Sequence, residues 1–71
     1  MAVDYYNGNR AYCLGPDWCA SLSTKYIWLC NNIETAKWKL HICQLHNRAE
    51  MHMYVTFENE QDELMYLLAC Q

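Results

Sequence analysis

Two short runs of almost strict alternation constrain this chain more than any other feature. In Lys37 to Leu45 (KWKLHICQL), Trp38, Leu40 and Ile42 fall on one face, and Lys37, Lys39 and His41 on the other. Met51 to Phe57 (MHMYVTF) repeats the pattern, with Met51, Met53, Val55 and Phe57 opposed to His52, Tyr54 and Thr56. A helix would scatter these groups around its circumference, so both runs read as strands. The five residues His46 to Glu50 join them into an antiparallel hairpin, in which a two-residue turn at Asn47-Arg48 would set Cys43 directly opposite His52.

The period then changes. Asn59 is a good N-cap, and Glu60, Asp62 and Glu63 crowd a first turn where carboxylates complement the helix dipole. Leu64, Leu67 and Leu68 follow at helical spacing, so a C-terminal helix is expected. Its leucine stripe should lie on the Trp38, Leu40, Ile42, Met53, Val55 and Phe57 face of the sheet.

Upstream, Asn7-Gly8 between Tyr5-Tyr6 and Ala11-Tyr12 signals a tight hairpin, because both turn residues tolerate the positive φ of a type I′ turn. Gly15-Pro16-Asp17 punctuates the chain, and Pro16 is placed to open one or two helical turns through Trp18 to Leu22. Lys25 to Cys30 (KYIWLC), β-branched and aromatic and bounded by Asn31-Asn32, reads as a further strand. The fold class is therefore α+β: a small antiparallel sheet, a βββ meander with an N-terminal hairpin, and one C-terminal helix packed on one face. No repeat or linker divides residues 1–71, which are expected to form one domain.

Composition narrows the function classes. Hydrophobic residues make up 54% of the chain and aromatics 14%, well clear of the disordered class. The longest apolar run, Leu64 to Cys70, is seven residues, far short of a membrane span, and Asp4 interrupts the region where a signal peptide needs an apolar run. A soluble protein is expected, cytoplasmic in a host cell or virion-associated, with no membrane partner. A net charge of −3 argues against nucleic acid as a partner. Cys13, Cys19, Cys30, Cys43 and Cys70 are five in number and lack C-x-x-C spacing, so they read as reduced thiols. A Cys13–Cys19 bridge across the LGPDW loop remains the alternative.

Candidate chemistry is sparse. His41, Cys43 and His52 share strand parity, and His46 sits near the turn, so these side chains are candidates for a zinc site. The same Cys43 and His52 would form a thiolate–imidazole dyad, but the sequence offers no oxyanion hole or cleft-forming loop, and no enzyme is expected. With only two glycines, Gly8 and Gly15, there is no phosphate-cradling loop, and no cofactor is expected. Charge is two-sided, with Glu58, Glu60, Asp62 and Glu63 at the helix start and Lys37, Lys39 and Arg48 on the hairpin.

One helix covers one face of a sheet, so the second face must be covered by the N-terminal aromatics or by a partner, including a second copy in a homo-oligomer. Candidate partner contacts are Tyr5, Tyr6, Tyr12, Trp18, Trp28, Glu60, Asp62 and Glu63, because aromatic anchors dominate interface energetics and the acids supply electrostatic steering.

The segment YVTFENEQDELMYLL, Tyr54 to Leu68, resembles the endings of small phage-encoded accessory proteins: a strand ending in Phe-Glu runs into an acidic helix start and an apolar tail. The resemblance implies a virus-encoded protein that binds a larger host protein and inhibits or redirects it, or one that docks on the virion; it carries no catalytic residues. The leading expectation is accordingly a small non-enzymatic protein-binding module. The alternatives are a virion structural or decoration subunit, expected as an obligate oligomer, and a zinc-binding module, expected to hold one metal per chain and to melt earlier in chelator.

Overall fold

The computed structural model describes residues 4–44 and 50–70. Strands β3 (Trp38–Cys43) and β4 (His52–Phe57) form the expected antiparallel hairpin, with Trp38 opposite Phe57, Leu40 opposite Val55 and Cys43 opposite His52. The Asn47-Arg48 turn lies outside the described residues. At the N-terminus, β1 (Asp4–Tyr6) and β2 (Asn9–Pro16) flank Asn7 and Gly8, whose φ values of 49° and 83° are those a type I′ turn requires.

Lys25 to Cys30 is not a strand. It lies within helix α1, Thr24–Asn32. Ser23 is the N-cap, its side-chain oxygen accepting from the Lys25 N–H at 3.1 Å. Tyr26, Leu29 and Ile33 turn into the core, a spacing only a helix supplies. The β propensity of the segment is worth less than a capped helix that buries Leu29 completely. Asn31 and Asn32 complete the helix rather than turning away from it, and Ile33 closes it by donating its N–H to the Leu29 carbonyl at 3.0 Å.

The strand order is therefore β1-β2-β4-β3, antiparallel throughout: a meander would set residues 25–30 beside β3, whereas β3 is an edge strand and β2 pairs with the other side of β4. Pro16 ends β2 rather than opening a helix, and the Trp18 to Leu22 region contains a single 3-10 turn, Ala20–Leu22. Between Cys13 and Gly15 the β2–β4 register shifts by one residue, and Gly15 takes a φ of 119° that suits glycine alone.

Helix α2 (Glu60–Cys70) starts where expected: Asn59 Oδ1 accepts from the Asp62 N–H at 2.8 Å. It lies with α1 on the Trp38–Val55 face, where Leu14, Ala20, Leu29, Ile33, Trp38, Val55 and Tyr66 form the buried core. The phase of α2 differs from the leucine stripe. Glu63 and Tyr66 are buried and Leu67 packs on the core, while Leu64 and Leu68 face outward. Tyr66 takes the inner position because its ring meets Phe57, Tyr12 and Trp28 at centroid distances of 5.3, 5.7 and 6.2 Å, more contact than a leucine makes. Ile42, assigned to the core face, is largely exposed on the edge strand β3.

The N-terminal hairpin covers the second sheet face. β1 and β3 are opposite edges of the sheet, about 14 Å apart if it were flat. Yet the Tyr6 and His41 rings lie 4.1 Å apart, so the β1 end curls across Tyr54 and Thr56. Among the described residues no helix is long and apolar enough to cross a membrane.

The helical assignment of residues 25–30 is tested by denaturant unfolding. Leu29→Ala is expected to cost about 3 kcal/mol and Ser23→Ala about 1 kcal/mol. A neutral Ser23→Ala would contradict the cap.

Candidate functional site

The site lies where the Asn7-Gly8 turn approaches the start of α2. Because the turn pairs Tyr5 with Arg10, both side chains project from the same side of the hairpin toward the helix. On the opposite bank β4 ends at Phe57, followed by Glu58 and the Asn59 cap. Together Tyr5, Gly8, Asn9, Arg10, Phe57, Glu58, Asn59, Glu60 and Glu63 line an open groove of about 480 Å³.

The floor of this groove is an ion pair. Arg10 Nη2 donates to Glu63 Oε1 at 3.1 Å, and the Tyr12 hydroxyl donates to Glu63 Oε2. Glu63 is 7% exposed, and a carboxylate at that depth is tolerated only when charge and hydrogen bonds compensate its lost hydration. Arg10 keeps about half its side chain, 48%, in solvent. Burial first, then the hydrogen bond and charge of Glu63, raise the Tyr12 pKa from 10.0 to about 12, so the phenol stays a donor across the neutral range.

The eight partner-contact candidates do not form one surface. Tyr5 and Glu60 line the groove and are exposed. Glu63 also lines it, but as the buried acceptor of Arg10 and Tyr12 rather than as a free anchor, and Tyr12 lies beneath it. Asp62 is engaged by the cap, receiving Asn59 Nδ2 at 2.8 Å. Tyr6 is stacked on His41 across the reverse face. Trp28 packs on Tyr66 and the core, a structural role that its place in a helix explains. Trp18 is 76% exposed but sits at the far end of the sheet, where the Asp17 N–H meets the Met51 carbonyl at 3.1 Å. Arg10 and Phe57 were missed as site residues. The register of the Asn-Gly turn is the signal that would have set Arg10 opposite Tyr5, whereas its pairing with Glu63, 53 residues away, has no sequence signature.

Among the described residues the zinc candidates do not gather into one set. Cys43 and His52 are opposite one another, as their parity requires, but His41 Nε2 shares a hydrogen bond with Thr56 Oγ1 at 2.8 Å beneath the Tyr6 ring. Burial, then the charge of Lys39, lowers the His41 pKa from its ordinary value. His52 Nδ1 donates to the Glu50 carbonyl at 3.0 Å. Among the described residues no three His, Cys, Asp or Glu side chains gather as a metal set, and His46 lies outside those residues. All five cysteines are free thiols, so Cys13 and Cys19 are not bridged.

No family model, curated protein or solved structure matches this chain.

The Tyr12–Glu63 bond makes stability sensitive to alkali. A phenol whose pKa rises on folding contributes stability that is complete below pH 10, its unfolded value, and is lost as pH climbs toward about 12. Urea midpoints should therefore fall over that interval, and Tyr12→Phe should fall less steeply than wild type. Equal slopes would place the alkaline loss elsewhere, for example on Tyr66, whose pKa burial also raises.

Proposed function

We propose that this protein is a small non-enzymatic binding module whose groove at the β1–β2 turn receives a basic side chain from a larger protein. The observation that carries this reading is the combination of an exposed Tyr5 with the Glu58 and Glu60 carboxylates around an Arg10 already neutralised by Glu63. With Arg10, the cation among the described lining residues, paired, the free charge lining the groove is negative and its wall is aromatic. Lysine and arginine are attracted by both, through carboxylate pairing and cation–π contact. The volume suits a side chain or a short peptide segment rather than a large ligand. A chain of net charge −3 is steered in the same sense toward basic surfaces.

In the setting implied by the resemblance to phage accessory proteins, the partner is a host protein that the module inhibits or redirects. Tagged protein incubated in bacterial lysate, with and without EDTA, is expected to enrich one partner equally under both conditions. Tyr5→Ala and Glu60→Lys should each reduce recovery about tenfold, the effect of losing one anchor of about 1.4 kcal/mol. Trp18→Ala, at the other end of the sheet, should leave recovery unchanged. Recovery that survives both groove variants would refute the groove as the binding site, and recovery abolished by EDTA would point to a metal-dependent partner instead.

A further inference from the structure

Strand β1 lies at an edge of the sheet and is three residues long, so its ladder with β2 gives it little hold of its own. Tyr5 pairs with Arg10 on the helix side, which sets Asp4 and Tyr6 on the reverse face with Tyr54 and Thr56. There the Tyr6 ring closes on the His41 ring at 4.1 Å, tilted by 33°, and His41 Nε2 shares its hydrogen bond with Thr56 Oγ1. This contact joins the two edge strands, which the ladder keeps apart, and it closes the β1 end over β4. The residue beside Tyr6 on β1 is Tyr5, the aromatic wall of the groove.

Of the two rings in the contact, the imidazole is the one that gains charge near neutral pH. A charged His41 would be drawn to the face of Tyr6 and to the Asp4 carboxylate on the same face of β1. It would also give up water beneath the Tyr6 ring and meet Lys39, two residues before it on the same side of β3. The remaining titratable groups on this face are the Cys43 thiol on β3, the Tyr54 phenol and His52 imidazole on β4, and the Cys13 thiol on β2. The costs prevail: burial first, then Lys39, holds the His41 pKa below its ordinary 6.5. Lys39 stays beside His41 whether β1 is closed or lifted, so the burial that Tyr6 supplies is what distinguishes the two states. If closing β1 disfavours the proton, the proton disfavours closing by the same factor.

We infer that the Tyr6–His41 contact is a pH-operated clasp: neutral His41 holds the β1 end over the reverse face, and protonated His41 releases it together with the Tyr5 wall of the groove. The closed state is favoured fully above pH 6.5 and loses that advantage as pH falls below it. β1 lifts about the Asn7-Gly8 turn, while β2, β4 and β3 stay paired. The regulation of the groove rests on the binding reading proposed above; the release of β1 does not, and it is observed in the free protein without a partner.

Nuclear magnetic resonance of the free protein from about pH 7.5 to about pH 5 tests the clasp. The His41 pKa should lie below that of Tyr6→Ala, where the ring cover is gone. For each unit of that difference, the open-to-closed ratio of wild type should rise about tenfold across the titration, read as amide protection of the β1–β2 hairpin relative to β4 after correction for intrinsic exchange. His41→Gln, which keeps a hydrogen-bonding group for Thr56 and cannot take up the charge, should abolish this pH response, and His52→Gln should leave it in place. Circular dichroism confirms the fold of each variant. A His41 pKa no lower than in Tyr6→Ala, hairpin protection indifferent to pH in wild type, or a pH response that survives His41→Gln would each overturn the clasp.

Discussion

Strand β4 has no solvent-facing side, and the rest of the structure is arranged to make that possible. Tyr54 and Val55 point to opposite faces, and both are fully buried; Thr56 is nearly so. A strand buried on both faces needs cover from two directions and paired neighbours on both edges. β2 and β3 supply the edges, α1 and α2 cover the Val55 side, and the curled β1 end covers the Tyr54 side. Among the described residues no other element is available for this. The curl brings Tyr6 onto His41, and thereby removes a histidine that parity alone would have offered to a metal.

Glu63 ties this arrangement to the candidate site. Its carboxylate joins α2 to β2 through Arg10 and Tyr12, and the buried Tyr66 three residues later sets the same face of the helix inward. One consequence is a groove in which, among the described residues, the lining cation Arg10 is paired and Tyr5, Glu58 and Glu60 form the exposed lining. The other is the outward placement of Leu64 and Leu68. Both features thus follow from one rotational choice of α2.

Much of the fold was legible because it is written in local physics. The period-two runs in β3 and β4, the Asn7-Gly8 turn and the Asn59 cap each depend on residues within a few positions of one another, and each stands where the sequence placed it. At the site, Tyr5 and Glu60 were legible as exposed aromatic and acid. Arg10 was not, because its role comes from a carboxylate 53 residues away.

What only the tertiary structure decided were choices between locally similar options. Residues 25–30 have enough β propensity to be a strand and enough helical spacing to be a helix; burying Leu29, Tyr26 and Ile33 against the sheet selected the helix. In α2, apolar residues run unbroken from Leu64 to Cys70, so the sequence established that a helix forms but not which side of it faces the core. That was settled by the fit of the Tyr66 ring among Tyr12, Phe57 and Trp28 and by the pairing of Glu63. Period, caps and turns are properties of neighbours along the chain, whereas helix phase and the closing of the second sheet face depend on which distant surfaces exclude water together.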